Sequence, residues 1–260
     1  MRDLDEILRA VAEGGLSPTD AAKRLEQGEV RYLDEFAVLD RGRASRKGVP
    51  EVVYAPGKTP EQVAEICAAF LSPGEDRRVI VSGAEKRHLV ELERVLPDTP
   101  AVWEGRALVV GAGEPEHTGG RLGALCAGTS DLPALREALA VAREMGVVVE
   151  RFHDVGVAGL HRLVGPLERL EEFDPDCLIV AAGMEGALPS VVAGLVDVPV
   201  AGLPTSTGYG LGGDGTAAIM GMLQSCSPGL SVVNVDNGVG AGASAALIAN
   251  RAARRGRDRR

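Results

Sequence analysis

The stretch Cys177-Leu178-Ile179-Val180-Ala181-Ala182-Gly183-Met184-Glu185-Gly186-Ala187-Leu188-Pro189 decides the fold. Its first six residues are apolar without alternation, a glycine-flanked polar turn comes next, and a helical segment opens near Gly186. An unbroken apolar run of strand length means burial on both faces, which is the condition of a parallel strand covered by helices on each side. The same unit recurs outward in both directions. Strands are expected at Leu125–Ala127, Val147–Phe152, Pro199–Leu203 and Ser231–Val235, with helices starting near Leu132, Gly159, Gly212 and Gly240. Five β-α units with short connections predict an α/β doubly wound parallel sheet over residues 119–250.

Upstream the pattern changes. Residues 1–118 read as a small α+β N-terminal domain ending in a linker. Leu4, Ile7, Leu8 and Val11 have helical spacing, and Ser17-Pro18 is an N-cap followed by proline at the first helical position. A basic loop, Arg41-Gly42-Arg43-Ala44-Ser45-Arg46-Lys47, precedes a strand over Glu51–Tyr54. Thr59-Pro60-Glu61 opens a helix to about Leu71, Val79–Ser82 is a second strand, and Glu85–Leu96 a further helix. Gly111–Gly123, rich in glycine, reads as a linker or mobile loop. Arg251–Arg260 is a basic tail expected to be disordered.

Composition removes several function classes. The 260 residues carry a formal charge of -9, and residues 1–250 carry -14 once the tail's +5 is set aside. With 3% aromatic residues, neither a nucleic-acid footprint nor a base-stacking platform is expected. No apolar run reaches membrane-span length, and the charged stretch Arg2–Glu6 does not resemble a signal peptide, so a cytoplasmic protein is expected. Cys67, Cys126, Cys177 and Cys226 form no CxxC pair. Gly57-Lys58-Thr59 resembles the end of a P-loop, but Val52 occupies the position of the required first glycine.

Ligands of open α/β sheets bind outside the carboxyl ends of the strands. Those ends here read Gly128-Thr129-Ser130-Asp131, Asp154-Val155-Gly156, Gly183-Met184-Glu185-Gly186, Pro204-Thr205-Ser206-Thr207-Gly208 and Asn234-Val235-Asp236-Asn237-Gly238. The first precedes a helix, so its hydroxyls and the helix N–H groups make either an anion cradle or simply a cap. Thr205–Gly208 forms a second cradle on the same logic. Glu185, partly buried, would be a base near neutral pH; the alternative is a first-turn carboxylate offsetting the helix dipole. His161 and Arg162 open a helix within reach of a phosphate, or serve as packing residues. Gly238-Val239-Gly240-Ala241-Gly242-Ala243 fits a loose dinucleotide pattern, but close packing of the last helix explains its glycines better. Cys226 lies in a polar turn, Gln224–Gly229, at the opposite edge of the sheet. By spacing alone it reads as structural.

The chain resembles the LarB family, the pyridinium-3,5-biscarboxylic acid mononucleotide synthases of nickel-pincer cofactor biosynthesis. The matching motifs are AGTSDLP from Ala127, DVGVAGLHRL from Asp154, AAGMEGALPSVVAGLVDVPV from Ala181, PTSTGYG from Pro204, Met222–Gly229 around Ser225-Cys226, and VVNVDNGVGAGA from Val232. Upstream, FAVLDRGRASRKGVPEVVYAPGKTPEQ from Phe36 is similar too. The resemblance implies a PurE-like three-layer catalytic domain. PurE-type carboxylases and mutases of aminoimidazole ribonucleotide carry a catalytic histidine where this chain has Glu185.

What the resemblance implies chemically is carboxylation of nicotinic acid adenine dinucleotide at pyridinium C5, with CO2 or bicarbonate as co-substrate and hydrolysis of the phosphoanhydride. Cys226 would be the nucleophile and Glu185 the base. Thr129, Ser130, Asp131, Asp154, Gly156, His161, Arg162, Met184, Thr205, Ser206, Asp236 and Asn237 would line the substrate site. No tightly bound cofactor is expected; Mg2+ near Asp131 or Asp236 is an open option. A homo-oligomer, an octamer by analogy with PurE-type enzymes, would let Cys226 serve a neighbouring chain's site. The alternatives are a PurE-type aminoimidazole ribonucleotide enzyme and a non-catalytic dinucleotide-binding protein.

Overall fold

The C-terminal half builds a five-stranded, all-parallel sheet in the order β11-β10-β9-β7-β8. The strands are β7 (Arg121–Cys126), β8 (Val148–Phe152), β9 (Cys177–Ala182), β10 (Val200–Pro204) and β11 (Leu230–Val232). In this computed structural model the described residues are 2–22, 30–33, 36–40, 42–71 and 78–257. Cys177–Ala182 is fully buried along its length, as its unbroken apolar run requires. β9 pairs with β7 through Leu122↔Cys177 to Cys126↔Ala181, and with β10 through Val200↔Leu178 to Pro204↔Ala182.

Helices cover both faces. On one lie α5 (Leu132–Glu144) and α9 (Gly238–Arg257), which bury Leu135, Leu139, Ala245 and Ala249 against Leu122, Ile179 and Leu203. On the other, α6 (His161–Phe173), α7 (Ala187–Ala193) and α8 (Thr216–Leu223) bury Leu163, Leu170, Leu188, Val192 and Met222 against Leu125, Leu178 and Val180. Alternate residues of one strand thus feed opposite cores, each leucine stabilising by roughly 1.5–3 kcal/mol. The fold is the doubly wound α/β class read from the sequence. The chain leaves β7 toward β8 and leaves β9 toward β10, so the crevice of a topological switch opens between the carboxyl ends of β7 and β9.

Before this sheet come α1 (Arg2–Ala12), β1 (Val30–Leu33), β2 (Ala37–Asp40), α2 (Arg43–Lys47), β3 (Val52–Tyr54), α3 (Pro60–Phe70), β4 (Val79–Ser82), α4 (Lys86–Val95), β5 (Ala101–Glu104) and β6 (Ala107–Val110). A second sheet has the order β3-β4-β6-β5, parallel between β3 and β4 and antiparallel elsewhere. The proline signal at Thr59-Pro60 is realised as a capping box: the Gln62 N–H donates to Thr59 Oγ1 at 3.3 Å and the Thr59 N–H to Gln62 Oε1 at 3.0 Å. Ser17 likewise accepts from the Asp20 N–H at 3.0 Å, ahead of a helical turn at residues 18–22. The rest of the second N-terminal helix expected here, residues 23–29, lies outside the described residues.

α5 is shared between the two halves. Its far side meets the second sheet, where Ile80 and Ala107 join its core. Ser82 Oγ donates to Glu137 Oε1 at 2.7 Å, and Arg78 pairs with Glu144 at 3.0 Å. The β5–β6 turn rests on the start of α5: a Cβ on Gly105, at φ +66°, would sit 2.2 Å from the Pro133 carbonyl.

Three expectations need correcting. Arg121–Gly123, read as the end of a linker, are the first residues of β7. The stretch before them is pinned rather than mobile, since Arg78 donates to the Gly113 carbonyl at 2.7 Å and Thr118 Oγ1 to Asn250 Oδ1 at 2.5 Å. Arg251–Arg257, read as the start of a disordered tail, continue α9; Asp258-Arg259-Arg260 lie outside the described residues. Within the basic loop, Arg43–Lys47 form α2, and Arg41 is outside the described residues.

Candidate active site

At the switch crevice the first cluster, after β7, is a tight turn. Thr129–Asp131 form one 3-10 turn leading into α5. Asp131 is buried and both its oxygens are engaged: the Gly128 N–H donates to Oδ2 at 2.9 Å, and Thr205 Oγ1 donates to Oδ1 at 2.5 Å. Asp131 therefore ties the β7 cluster to the β10 cluster from below, while Thr129 and Ser130 stay exposed at the helix entry. A helix entry left open in this way is one that can receive an anion.

Across the crevice, Thr207 Oγ1 donates to the Ser130 carbonyl at 3.2 Å, and the Met184 N–H donates to the Thr207 carbonyl at 2.7 Å. Met184 holds φ 52°, a left-handed conformation costly for this residue type by roughly 1–2 kcal/mol. Close approach explains the preceding glycine: a Cβ on Gly183 would lie 2.1 Å from the Thr207 carbonyl. The consequence is that Met184 and Glu185 project from a backbone held tightly against the β10 loop.

The third link runs to the last strand. The Ser206 N–H donates to Asp236 Oδ1 at 3.0 Å and Ser206 Oγ to Oδ2 at 2.6 Å. Arg106, from the β5–β6 turn, pairs with the same Oδ2 at 3.0 Å. Burial opposes ionisation of Asp236, but the Ser206 hydrogen bonds and the Arg106 guanidinium outweigh it and hold the carboxyl below its usual range. Asn237 is engaged elsewhere, accepting from the Gly240 N–H at 2.8 Å as the cap of α9.

On the other side, Gly156 folds back on β7, its N–H donating to the Ala127 carbonyl at 2.9 Å. Asp154, at φ 58°, pairs with Arg162 at 3.0 Å, and His161 is exposed beside it at the start of α6. The structure thus gathers the β7, β9, β10 and β11 clusters into one hydrogen-bonded rim, with the Asp154–Arg162 pair beside it. The donor set suits hydrogen bonding rather than a divalent cation. Among the described residues no three His, Cys, Asp or Glu side chains converge, and the oxygens of Asp131 and Asp236 are already held by hydroxyls, N–H groups and Arg106.

Two expectations change at this site. Glu185 is exposed in the single chain, so the partial burial expected of it is absent. A Cβ on Gly221 would lie 2.3 Å from the Glu185 carbonyl, so α8 packs against its backbone and leaves the side chain outside. Cys226 lies beyond α8, whose eight residues span about 12 Å, in the turn leading to β11. There Ser227 Oγ donates to the Ser190 carbonyl at 2.7 Å, and β11 begins by pairing Leu230 with Val200, the first residue of β10. The thiol stands at the amino edge and the clusters at the carboxyl edge, as the sequence order implied. Cys226 is exposed, whereas Cys67, Cys126 and Cys177 are buried. Burial pushes the Cys126 thiol up to about 11 and those of Cys67 and Cys177 to about 12, out of range for a thiolate nucleophile.

Arg106 and Glu137 were missed in the sequence. Arg106 comes to Asp236 from the β5–β6 turn and Glu137 to Ser82 through packing between the halves, and neither stands in a strand-end cluster.

Comparison with known proteins agrees with this architecture. Residues 31–112 match a LarB/PurE-like N-terminal domain, and residues 121–258 match AIR carboxylase. An uncharacterised protein of Methanocaldococcus jannaschii is 39% identical over 260 residues, covering 95% of this chain and 97% of that one. The N5-carboxyaminoimidazole ribonucleotide mutase of the same organism is 33% identical over 121 residues, 46% of this chain and 70% of that enzyme. The mutase of Thermotoga maritima is 29% identical over 135 residues, 49% and 74% respectively. With its AIR-carboxylase sheet, its switch-point crevice and its own N-terminal domain, the chain belongs to the LarB family of PurE-related carboxylases.

Proposed function

We propose that the protein carboxylates nicotinic acid adenine dinucleotide at C5 of the pyridinium ring and hydrolyses its phosphoanhydride, with CO2 as co-substrate. The observation that carries this reading is the pairing of a PurE-type crevice, where a carboxylate, Glu185, stands on a strained turn, with a single exposed cysteine among the four.

A pyridinium ring is electron-poor and does not attack CO2. Addition of the Cys226 thiolate at C4 forms a C–S bond and turns the ring into a dihydropyridine whose C5 is nucleophilic. C5 then bonds to CO2, Glu185 takes the C5 proton, and the thiolate leaves as the ring regains its aromaticity. Water cleaves the phosphoanhydride, giving AMP and pyridinium-3,5-biscarboxylic acid mononucleotide. Thr129, Ser130, Thr205 and Ser206 cradle the mononucleotide phosphate, Asp131 fixes the cradle, and Arg162 adds a cation at its side. Because Cys226 and Glu185 occupy opposite edges of one chain, the site is completed by a neighbouring subunit, which also buries Glu185.

The test is mass spectrometry of the protein incubated with nicotinic acid adenine dinucleotide and bicarbonate, beside Cys226→Ala. AMP and a mononucleotide heavier by one carboxylate, both lost in the variant, are expected. The two mutase relatives give a second reading, and turnover of aminoimidazole ribonucleotide alone would select it. Turnover of neither would favour a non-catalytic dinucleotide-binding protein.

A further inference from the structure

The loop after β10 leaves two large side chains in water. Residues 208–215 read Gly-Tyr-Gly-Leu-Gly-Gly-Asp-Gly, and within them Tyr209 is 82% exposed and Leu211 fully so. Both ends of the loop are fixed. A Cβ on Gly208 would meet the Met184 Cα at 3.7 Å, and one on Gly215, at φ +81°, would sit 2.5 Å from Val235 Cγ1 and 3.1 Å from the Thr205 carbonyl. The middle is open: at Gly210, with φ +77°, nothing lies within 4 Å of a Cβ position. Glycine beside the tyrosine leaves the backbone there free to turn.

The place of Tyr209 narrows its role. It stands two residues after Thr207, whose Oγ1 donates to the Ser130 carbonyl and whose carbonyl accepts from the Met184 N–H across the crevice. Glu185 follows Met184, so carboxylate and aromatic ring leave the rim from either side of one contact, Gly208 against Met184. The chain is poor in aromatic residues, and Phe152, at the end of β8, packs against the core. Among the described residues, Tyr209 is the aromatic side chain that the rim loops offer.

We propose that Tyr209 is a specificity-determining residue for the charged ring: the loop folds over the crevice and lays the phenol face on the pyridinium. The inference rests on the pyridinium reading above and deepens it. The face of an aromatic ring attracts a cation held within about 6 Å of its centre. Stacking also withdraws from water the apolar surface that Tyr209 exposes in the single chain. A neutral ring gains the stacking without the charge attraction, so the residue sorts rings by charge. Thiolate addition at C4 discharges the ring, which confines the attraction to the bound pyridinium. Loss of Tyr209 should therefore raise KM without lowering kcat.

Calorimetric titration of the full chain with nicotinic acid mononucleotide and with its 1,4-dihydro form tests this. The dihydro form keeps the carboxylate and the phosphate but has a neutral ring. The unmodified protein should bind the pyridinium form about ten-fold more tightly. Tyr209→Leu should lose that preference while still binding the dihydro form, and Tyr209→Phe, which keeps the aromatic face, should restore it. The KM for the dinucleotide should rise about ten-fold in Tyr209→Leu. Equal binding of the two forms by the unmodified protein, or a preference that survives in Tyr209→Leu, overturns the assignment. Equal weakening of both forms, as loss of a subunit contact would give, also overturns it. Binding and turnover are read apart. A Tyr209-dependent preference without carboxylation fails the reaction and leaves the aromatic platform standing, and carboxylation without that preference does the reverse. Binding of neither form overturns both.

Discussion

Glu137 and Asp236 face the same cavity yet are tuned in opposite directions. Desolvation dominates at Glu137, and although Ser82 and the Arg106 charge oppose it, the carboxyl titrates above its ordinary value. An acid whose folded pKa is raised binds its proton more tightly in the native state than in the unfolded one. Its ionisation therefore weakens the fold as pH rises from about 4.3 through the raised native value. Glu137→Gln keeps an oxygen for Ser82 and removes the ionisation. The variant should melt higher than the unmodified protein at pH 8, and the gap should close as pH falls toward 4. A constant gap across that range in thermal melts would show that burial of the charge is not the cause. Asp236 has the reverse sign, its contribution lost as pH falls through its lowered native pKa. Neither environment was legible from spacing. Ser82, Arg106 and Glu137 are far apart in sequence and meet only because one helix serves two sheets. The strand-end clusters were legible, since a parallel sheet delivers every carboxyl end to one edge. The exposure of Glu185 was not, because that depends on where α8 packs.

At the scale of elements, the α5–α9 seam shows propensity and packing in conflict. Glycine inside a helix costs about 1 kcal/mol relative to alanine, yet α9 carries Gly238, Gly240 and Gly242 in its first turns. A Cβ on Gly242 would lie 2.2 Å from the Ala138 carbonyl, and one on Gly238 would lie 2.7 Å from the Ala134 carbonyl. Backbone cannot yield as a side-chain tip can, so contact outweighs propensity. This is why packing, not a dinucleotide fingerprint, accounts for those glycines. Gly242→Leu should destabilise by roughly 1–3 kcal/mol or more, read as a lower midpoint in urea. A midpoint unchanged or raised would mean that the seam tolerates the spread. The same scale explains which elements the sequence disclosed. Cys177–Ala182 and Val79–Ser82 were placed to the residue because their burial is continuous. The β1–β2 and β5–β6 hairpins escaped notice. Their four-residue strands are too short to show a period, and in β5 the successive Val102 and Trp103 are both exposed to solvent in part.

The whole molecule leaves an apolar surface uncovered on the face that carries Cys226's turn. Leu160 and Val164 of the α6 region, Leu195 after α7, and Met220 and Leu223 of α8 are each more than half exposed. Isolated exposed leucines are ordinary, but a set spread over neighbouring helices of one layer is the kind of face through which the proposed assembly would form. Under the proposed reaction, with Cys226 separated from the crevice, an assembly through this surface would bring one chain's thiol to another chain's carboxylate. Subunit mixing tests that arrangement directly. Cys226→Ala and Glu185→Gln should each be inactive alone, because every site lacks one group. Dissociated, mixed in equal amounts and reassembled, they should recover about a quarter of the unmodified activity, since random pairing restores both groups in one site of four. If thiol and carboxylate served the same chain's site, every site in the mixture would still lack one of them and no activity would return. Leu223→Asp, aimed at the contact surface instead of the chemistry, should lower the mass seen in sedimentation and abolish carboxylation together. Retained carboxylation by a dissociated chain would return the reaction to a single subunit.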